Sequence, residues 1–135
     1  MRPTRGWLAE IWQALYRGNE TPGPSIPVHA HVHSTAADTA ITLLAGRIGC
    51  HLHIDTLIFN NKQSGKAGFS VYDGTSSASN EIFSVRVPAI NTAVFVPQGT
   101  LGFAMKSNSP LMYSCEDAGN VEVTVFGLLE SDTPV

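Results

Sequence analysis

Two periods of hydrophobicity divide the chain. Over residues 1–18 the apolar side chains recur at helical spacing. Trp7, Leu8, Ile11, Trp12, Leu15 and Tyr16 fall on one broad face, with Glu10, Gln13 and Arg17 off it. Thr4 can cap such a helix, because its hydroxyl can accept from an orphan N–H of the first turn. Gly18 suits the left-handed residue that ends one. From Val28 onward the period is two. His29, His31 and His33 alternate with Ala30 and Val32, and later Val121, Val123 and Val125 alternate with Glu122, Thr124 and Phe126. Between these regimes, residues 19–28 hold Pro22, Pro24, Pro27 and Gly23, which predicts an extended, semi-rigid linker.

The period-two region predicts strands at 39–44, 47–61, 67–73, 81–87, 92–96, 100–106, 111–116 and 121–129, after the histidine strand. In the longest of these, Ile48, Cys50, Leu52 and Ile54 share one face, whereas Leu57 and Phe59 take the opposite parity. That switch predicts a bend or bulge near Asp55. Turn signals fall every 8–12 residues and no helical pattern lies between the strands, which favours an antiparallel sandwich or barrel over βαβ units. A parallel sheet would need helices over both faces. The expectation is an all-β chain: an antiparallel β-sandwich, jelly-roll-like with about eight strands, behind a short N-terminal amphipathic helix. Its parts are a helical arm at 1–18, the Pro-rich linker at 19–28, the sandwich at 29–130 and a tail at 131–135.

A length of 135 residues fits one domain. Charged residues are only 14% of the chain, against about 25% in ordinary domains. The exterior must therefore be largely small polar and small apolar groups, a surface suited to lying against other subunits. A net charge of −3 gives no basic footprint for nucleic acid. The charge is uneven, since Arg2, Arg5 and Arg17 face only Glu10 in the arm. No stretch approaches the ~20 apolar residues of a membrane span, so no membrane partner is expected. The N-terminal apolar stretch is broken by Glu10 and Gln13 and lacks a cleavage site, which predicts synthesis without a signal peptide. Cys50 and Cys115 are too few for a disulfide framework and are expected as buried free thiols.

The strongest candidate chemistry is the histidine set. His29, His31 and His33 share one side of a strand, and His51 and His53 one side of another, so neighbouring strands could converge imidazoles on a metal. The His51–His53 spacing invites comparison with cupins, but Leu57 and Ile58 stand where a glutamate is needed, and Leu101 to Phe103 where a later histidine is needed. The bland reading, polar residues at a sheet edge or subunit contact, is preferred, and no metal or cofactor is expected. Symmetry could still gather copies of one histidine strand around a structural ion. Asp38, Asp55 and Asp73 lie at strand ends or turns, with no pair marked for glycoside hydrolysis. Ser114-Cys115-Glu116 lacks the flanking glycines of a nucleophile elbow, and no phosphate loop opens a helix. No catalytic residues are expected.

The helix carries more functional signal. Burying side chains of this size contributes roughly 1.5–3 kcal/mol each, and an isolated helix of this length is marginal in water, so it must dock. It could cap its own sandwich or bind another chain. The ten-residue linker, at ~3.1 Å per residue, reaches about 30 Å, which favours a partner beyond its own domain. Trp7, Leu8, Ile11, Trp12, Leu15 and Tyr16 are the expected partner-binding residues.

The stretch from Thr39 to Glu130 resembles small virion proteins of tailed bacteriophages. The resemblance rests on Ile54-Asp55-Thr56-Leu57-Ile58-Phe59-Asn60-Asn61, on Phe69-Ser70-Val71-Tyr72-Asp73-Gly74, on the Val96-Pro97 step, and on the closing strand Val123 to Glu130. It implies a β-sandwich that forms homotrimers on the virion as a capsid decoration or cement protein, binding the major capsid protein or another virion protein. A tail, fibre or receptor-binding component is the nearest alternative. A cupin-like module binding metal or carbohydrate is the alternative from another class. The helical arm departs from the plainest members and suits a protein that clamps neighbouring subunits.

Overall fold

The computed structural model of the chain describes residues 25–97 and 103–133. The predicted arm, with its partner-binding face from Trp7 to Tyr16, and most of the linker lie outside them. Nine strands are formed by the described residues: β1 (Ser25–Ser34), β2 (Asp38–Leu44), β3 (Cys50–Asn61), β4 (Ala67–Asp73), β5 (Glu81–Val87), β6 (Asn91–Phe95), β7 (Phe103–Ser107), β8 (Leu111–Glu116) and β9 (Val121–Ser131). A 3-10 turn, Ala78–Asn80, precedes β5.

Every strand pairing is antiparallel, and the strands form two sheets. The larger runs β1-β9-β3-β6, with β7 also on β3; the smaller runs β2-β8-β4-β5. This interleaving of early and late strands is a jelly-roll order, within the jelly-roll-like sandwich expected from the sequence. Strands β6 and β7 share one side of β3. β7 pairs with His51 to Ile54, and β6 pairs with Leu57 to Asn61. The register of β3 on β9 slips between Ile54 and Thr56, so Asp55 is the bulge that the parity switch predicted. The extra residue turns Leu57 and Phe59 inward after Leu52 and Ile54, and all four side chains are buried.

The core lies between the sheets. Phe59 of the large sheet meets Phe69 of the small one with ring centroids 5.0 Å apart, and Phe83 stacks on Phe95 at 4.1 Å. A polar clasp crosses the same interior, where the hydroxyls of Ser34 on β1 and Tyr113 on β8 are hydrogen-bonded in a buried setting. Asn61, fully buried at the end of β3, donates its amide to the carbonyls of Gly65, Val87 and Pro88 and accepts from the Gln63 N–H. It fixes one end of the sandwich.

Several boundaries differ from expectation. β1 begins at Ser25, inside the predicted 19–28 linker and ahead of the predicted domain start at 29. Pro27 is tolerated there because β1 is an edge strand, paired only with β9, where a missing N–H costs least. β9 runs to Ser131, past the predicted limit at 130. β3 starts at Cys50, not Arg47. Gly49, at φ +78, closes a turn in which the Cys50 N–H reaches the Arg47 carbonyl at 3.1 Å. Ile48 is therefore 86% exposed, not on the inward face. Both cysteines are free, but only Cys115 is buried; Cys50, at the strand's first position, is half-buried.

Candidate functional site

All five histidines of the chain project from one surface, the outer face of the large sheet. Val28, Ala30 and Val32 pack against the core, so the alternation of β1 turns His29, His31 and His33 outward. Leu52 and Ile54 do the same for His51 and His53 on β3. Strand β9 runs between them. His33, His31 and His29 stand opposite Glu122, Thr124 and Phe126, whereas His53 and His51 stand opposite Leu128 and Glu130. The two histidine sets thus flank β9 from opposite sides and are offset along it, His29 opposite Phe126 and His53 opposite Leu128, and do not converge.

Each set is held by polar neighbours. At one end the His31 Nδ1 lies 2.8 Å from Thr124 Oγ1, and His33 Nε2 lies 2.8 Å from the Asn120 amide oxygen. Glu122 accepts from the Lys62 ammonium at 2.9 Å, and His31 Nε2 lies 3.8 Å away. The Lys62 bond, helped by His31 and His33, holds the Glu122 carboxyl below the usual carboxylate range. At the other end, Asp132 accepts from His51 Nδ1 at 2.8 Å and from the Ser107 hydroxyl. Ser107 first and His51 second hold the Asp132 carboxyl below its ordinary value. Glu130 is shared: its Oε1 lies 3.0 Å from His53 Nδ1 and 3.6 Å from His51 Nε2. These contacts knit β3, β7 and the end of β9 together.

Between these ends, around the exposed Asp55 and the half-buried Thr56 of the bulge, the face carries several apolar side chains. Phe126 on β9 is 46% exposed, and Val94 on β6 and Val96 just beyond it are 59% and 47% exposed. Ile58 lies opposite Val94 in the register, and Leu128 follows Phe126 on the outward phase of β9. The His29 ring stacks on Phe126 with centroids 6.4 Å apart. This patch was not singled out from the sequence. Its signal was there, since Phe126, Leu128, Ile58 and Val94 are apolar at positions whose neighbours in the strand face the core.

Other candidates stay apart. Among the described residues, no group of three or more His, Cys, Asp or Glu side chains is placed to hold a metal ion. His51 and His53 point out of the sandwich, unlike ligands of an interior cupin-type site. Asp38 stands opposite Cys115 and Asp73 opposite Leu111, so β8 holds them at its two ends; Asp55 belongs to the other sheet. Of the open depressions, one of about 420 Å³ is lined by Asp38, Tyr72, Cys115 and Glu116 among others, and one of about 390 Å³ by Asp73 and Lys106 among others. Among the described residues no helix is long and apolar enough to cross a membrane.

No family model matches the chain, and neither does any curated protein. Solved structures share its fold. One is a chain of the acid-stable capsid of Helicobacter pylori bacteriophage KHP30, with a TM-score of 0.55 at 11% identity, covering 83% of this chain and 95% of that one. Another is from the Bacillus endospore appendages, which are disulfide-linked pili, with a TM-score of 0.48 at 9% identity over 84% and 94% of the two chains. A third is from the virus-like particle of the giant freshwater prawn's extra small virus, with a TM-score of 0.42 at 9% identity over 82% and 81%. At such identities the likeness is one of fold, and of these three the phage capsid chain superposes with a TM-score above 0.5.

Proposed function

We propose that this chain is a structural protein of a bacteriophage virion, a capsid decoration or cement subunit. It forms a symmetric homo-oligomer, a trimer, and holds the shell or neighbouring subunits through the apolar face of its N-terminal arm. The observation that carries the reading is the strand order β1-β9-β3-β6 over β2-β8-β4-β5, in a fold shared with a phage capsid chain over 95% of that chain's length. A surface poor in charge and an uncovered apolar face on the large sheet support it. The reading assigns the protein no catalysis, metal or cofactor.

The test uses the full chain and the W7S/W12S variant, Trp7→Ser with Trp12→Ser. Mass by light scattering is measured first, followed by co-sedimentation with phage capsid shells. The wild type is expected to be oligomeric and to pellet with shells, and the variant to stay in the supernatant. A wild-type protein that is monomeric at high concentration and never pellets with shells would sink the reading.

A further inference from the structure

We infer that the apolar patch on the large sheet is the seat of the N-terminal arm of a second copy of this chain, packed head to tail. The inference rests on the assembly reading above and supplies what that reading leaves open: where the arm lands.

Dimensions agree. Leu128 and Phe126 on β9, Ile58 on β3, and Val94 and Val96 at β6 span three neighbouring strands, about 10 Å across at the usual strand spacing. From the Leu128 row to the Ile58 row, four residues along β9, the patch runs about 13 Å. The helical stripe expected from the sequence, Trp7 to Tyr16, would be nine steps long, about 14 Å. Charge agrees as well. The arm carries Arg2, Arg5 and Arg17 against Glu10. The ends of the patch carry Glu122, Glu130 and Asp132 against Lys62. The five histidines add positive charge to that rim when protonated.

The route of the chain selects a neighbour's arm over the protein's own. β1 enters the sheet at Ser25, opposite Glu130, while Phe126 lies opposite His29, four residues further along. Read backwards, the chain leaves Ser25 heading away from its own patch. Thr21, Gly23 and Ile26 each precede a proline, and residues before proline favour extended backbone. Six residues at polyproline spacing span about 19 Å, so an extended run over 19–24 would take an arm past the end of its own sheet. Each copy then presents one arm and one face. That is a heterologous contact, which closes into a ring when the rotation allows.

The only two tryptophans of the chain are Trp7 and Trp12, so intrinsic tryptophan fluorescence reads the arm alone. In the wild type, emission should shift to the blue and acrylamide quenching should fall as concentration rises, in step with mass by light scattering. Two defective proteins make the decisive mixture. One is W7S/W12S, whose arm is dark and cannot dock. The other is V94S/F126S (Val94→Ser, Phe126→Ser), with an intact arm and a spoiled face. Both substituted face positions are outward and half-exposed, so the fold should survive, as far-UV circular dichroism verifies. V94S/F126S alone should associate at least about tenfold more weakly than the wild type. Adding dark W7S/W12S should restore protection to its tryptophans, because a good arm then meets a good face. V94I/F126L should behave as the wild type.

Concentration-independent protection in a monomer would overturn the inference, since the arm would then cover its own face. So would an oligomer with unprotected tryptophans, or V94S/F126S proteins as protected as the wild type. If protection appears only with capsid shells present, this inference falls while the assembly reading stands. If full-length protein neither associates nor pellets with shells, both fall.

Discussion

The Ser34–Tyr113 clasp is the one buried hydroxyl pair that bridges the two sheets among the described hydrogen bonds, and its worth can be worked out. Ser34 is 2% exposed and Tyr113 fully buried. The Tyr113 hydroxyl also reaches Cys115 Sγ at 3.7 Å. Tyr113→Phe strands the Ser34 hydroxyl in an apolar interior, which costs about 1–3 kcal/mol. Ser34→Ala leaves Tyr113 its contact with Cys115 and should cost about 1 kcal/mol. With both hydroxyls gone nothing is left unsatisfied, so the double variant should cost little more than Tyr113→Phe alone. The coupling should fall in the range of about 0.5–3 kcal/mol seen for direct partners. Urea unfolding followed by far-UV circular dichroism at pH 7 closes this cycle.

The clasp also has a pH signature. Burial raises the Tyr113 hydroxyl well above its ordinary value, against a smaller opposing effect of the Ser34 bond. A folded-state pKa above the unfolded one favours the protonated form in the fold. The contribution is therefore complete below about pH 10 and is lost as pH rises beyond it. The wild type should lose stability steeply above that point, and Tyr113→Phe less so. Additive single costs, or an unchanged alkaline limb in Tyr113→Phe, would refute the reasoning.

Other substitutions probe the frame around the candidate face. A methyl at Gly127 would strike the His53 carbonyl oxygen where β9 meets the Asp55 bulge, so Gly127→Ala should cost about 2–3 kcal/mol and lower the urea midpoint. Asn61→Ala removes the donor to three carbonyls and the acceptor for the Gln63 N–H; a loss of about 2–3 kcal/mol should appear with faster proteolysis at residues 62–66. Ile90 sits at φ +50 with 77% of its surface exposed, a conformation that a β-branched residue resists, so Ile90→Asn should raise stability by about 1 kcal/mol in the same assay. The carboxyl of Glu122 is held low by Lys62. Its contribution is thus present above the unfolded glutamate pKa and fades as pH falls through the folded value, and Glu122→Gln should flatten the acid limb of the thermal midpoint.

Most of the fold was legible because period two survives wherever one strand face meets a core. Ala67–Asp73, Glu81–Val87 and Leu111–Glu116 begin and end where the pattern places them. Even the Asp55 bulge was visible, since an extra residue must invert parity and Leu57 inverts it. What failed were ends. A proline-rich stretch reads as linker unless the strand is an edge, and nothing local announces that Pro27 lies on one. Ile48 continued an apolar phase that Gly49 ends, because a positive φ breaks the ladder whatever precedes it. The candidate face was harder still. Its histidines were found strand by strand, but their common surface depends on β9 running between β1 and β3, a pairing of residues 60 to 105 positions apart in sequence.

The two outer faces differ in a way that bears on where a partner lies. An antiparallel sheet with one solvated face should alternate cleanly between apolar inward and polar outward residues. The small sheet comes nearer to this: Ser84, Ser70 and Ser114 form a hydroxyl row across β5, β4 and β8, with Ser70 and Ser84 hydrogen-bonded at 3.1 Å, although Tyr72 and Met112 also stand on its outward phase. The large sheet does not. Phe126, Leu128, Ile58 and Val94 occupy outward positions on three adjacent strands, as strands do when both faces are covered. In a chain with only 14% charged residues, the ion pairs of this face lie toward its two ends, where Lys62 with Glu122 and the histidines with Glu130 and Asp132 form a rim, while Asp55 and Thr56 interrupt the apolar run at the β3 bulge. An apolar centre inside a polar rim is the anatomy of an interface. The departure from alternation therefore selects the large sheet, not the hydroxyl-rich small one, as the side of the sandwich built to be covered.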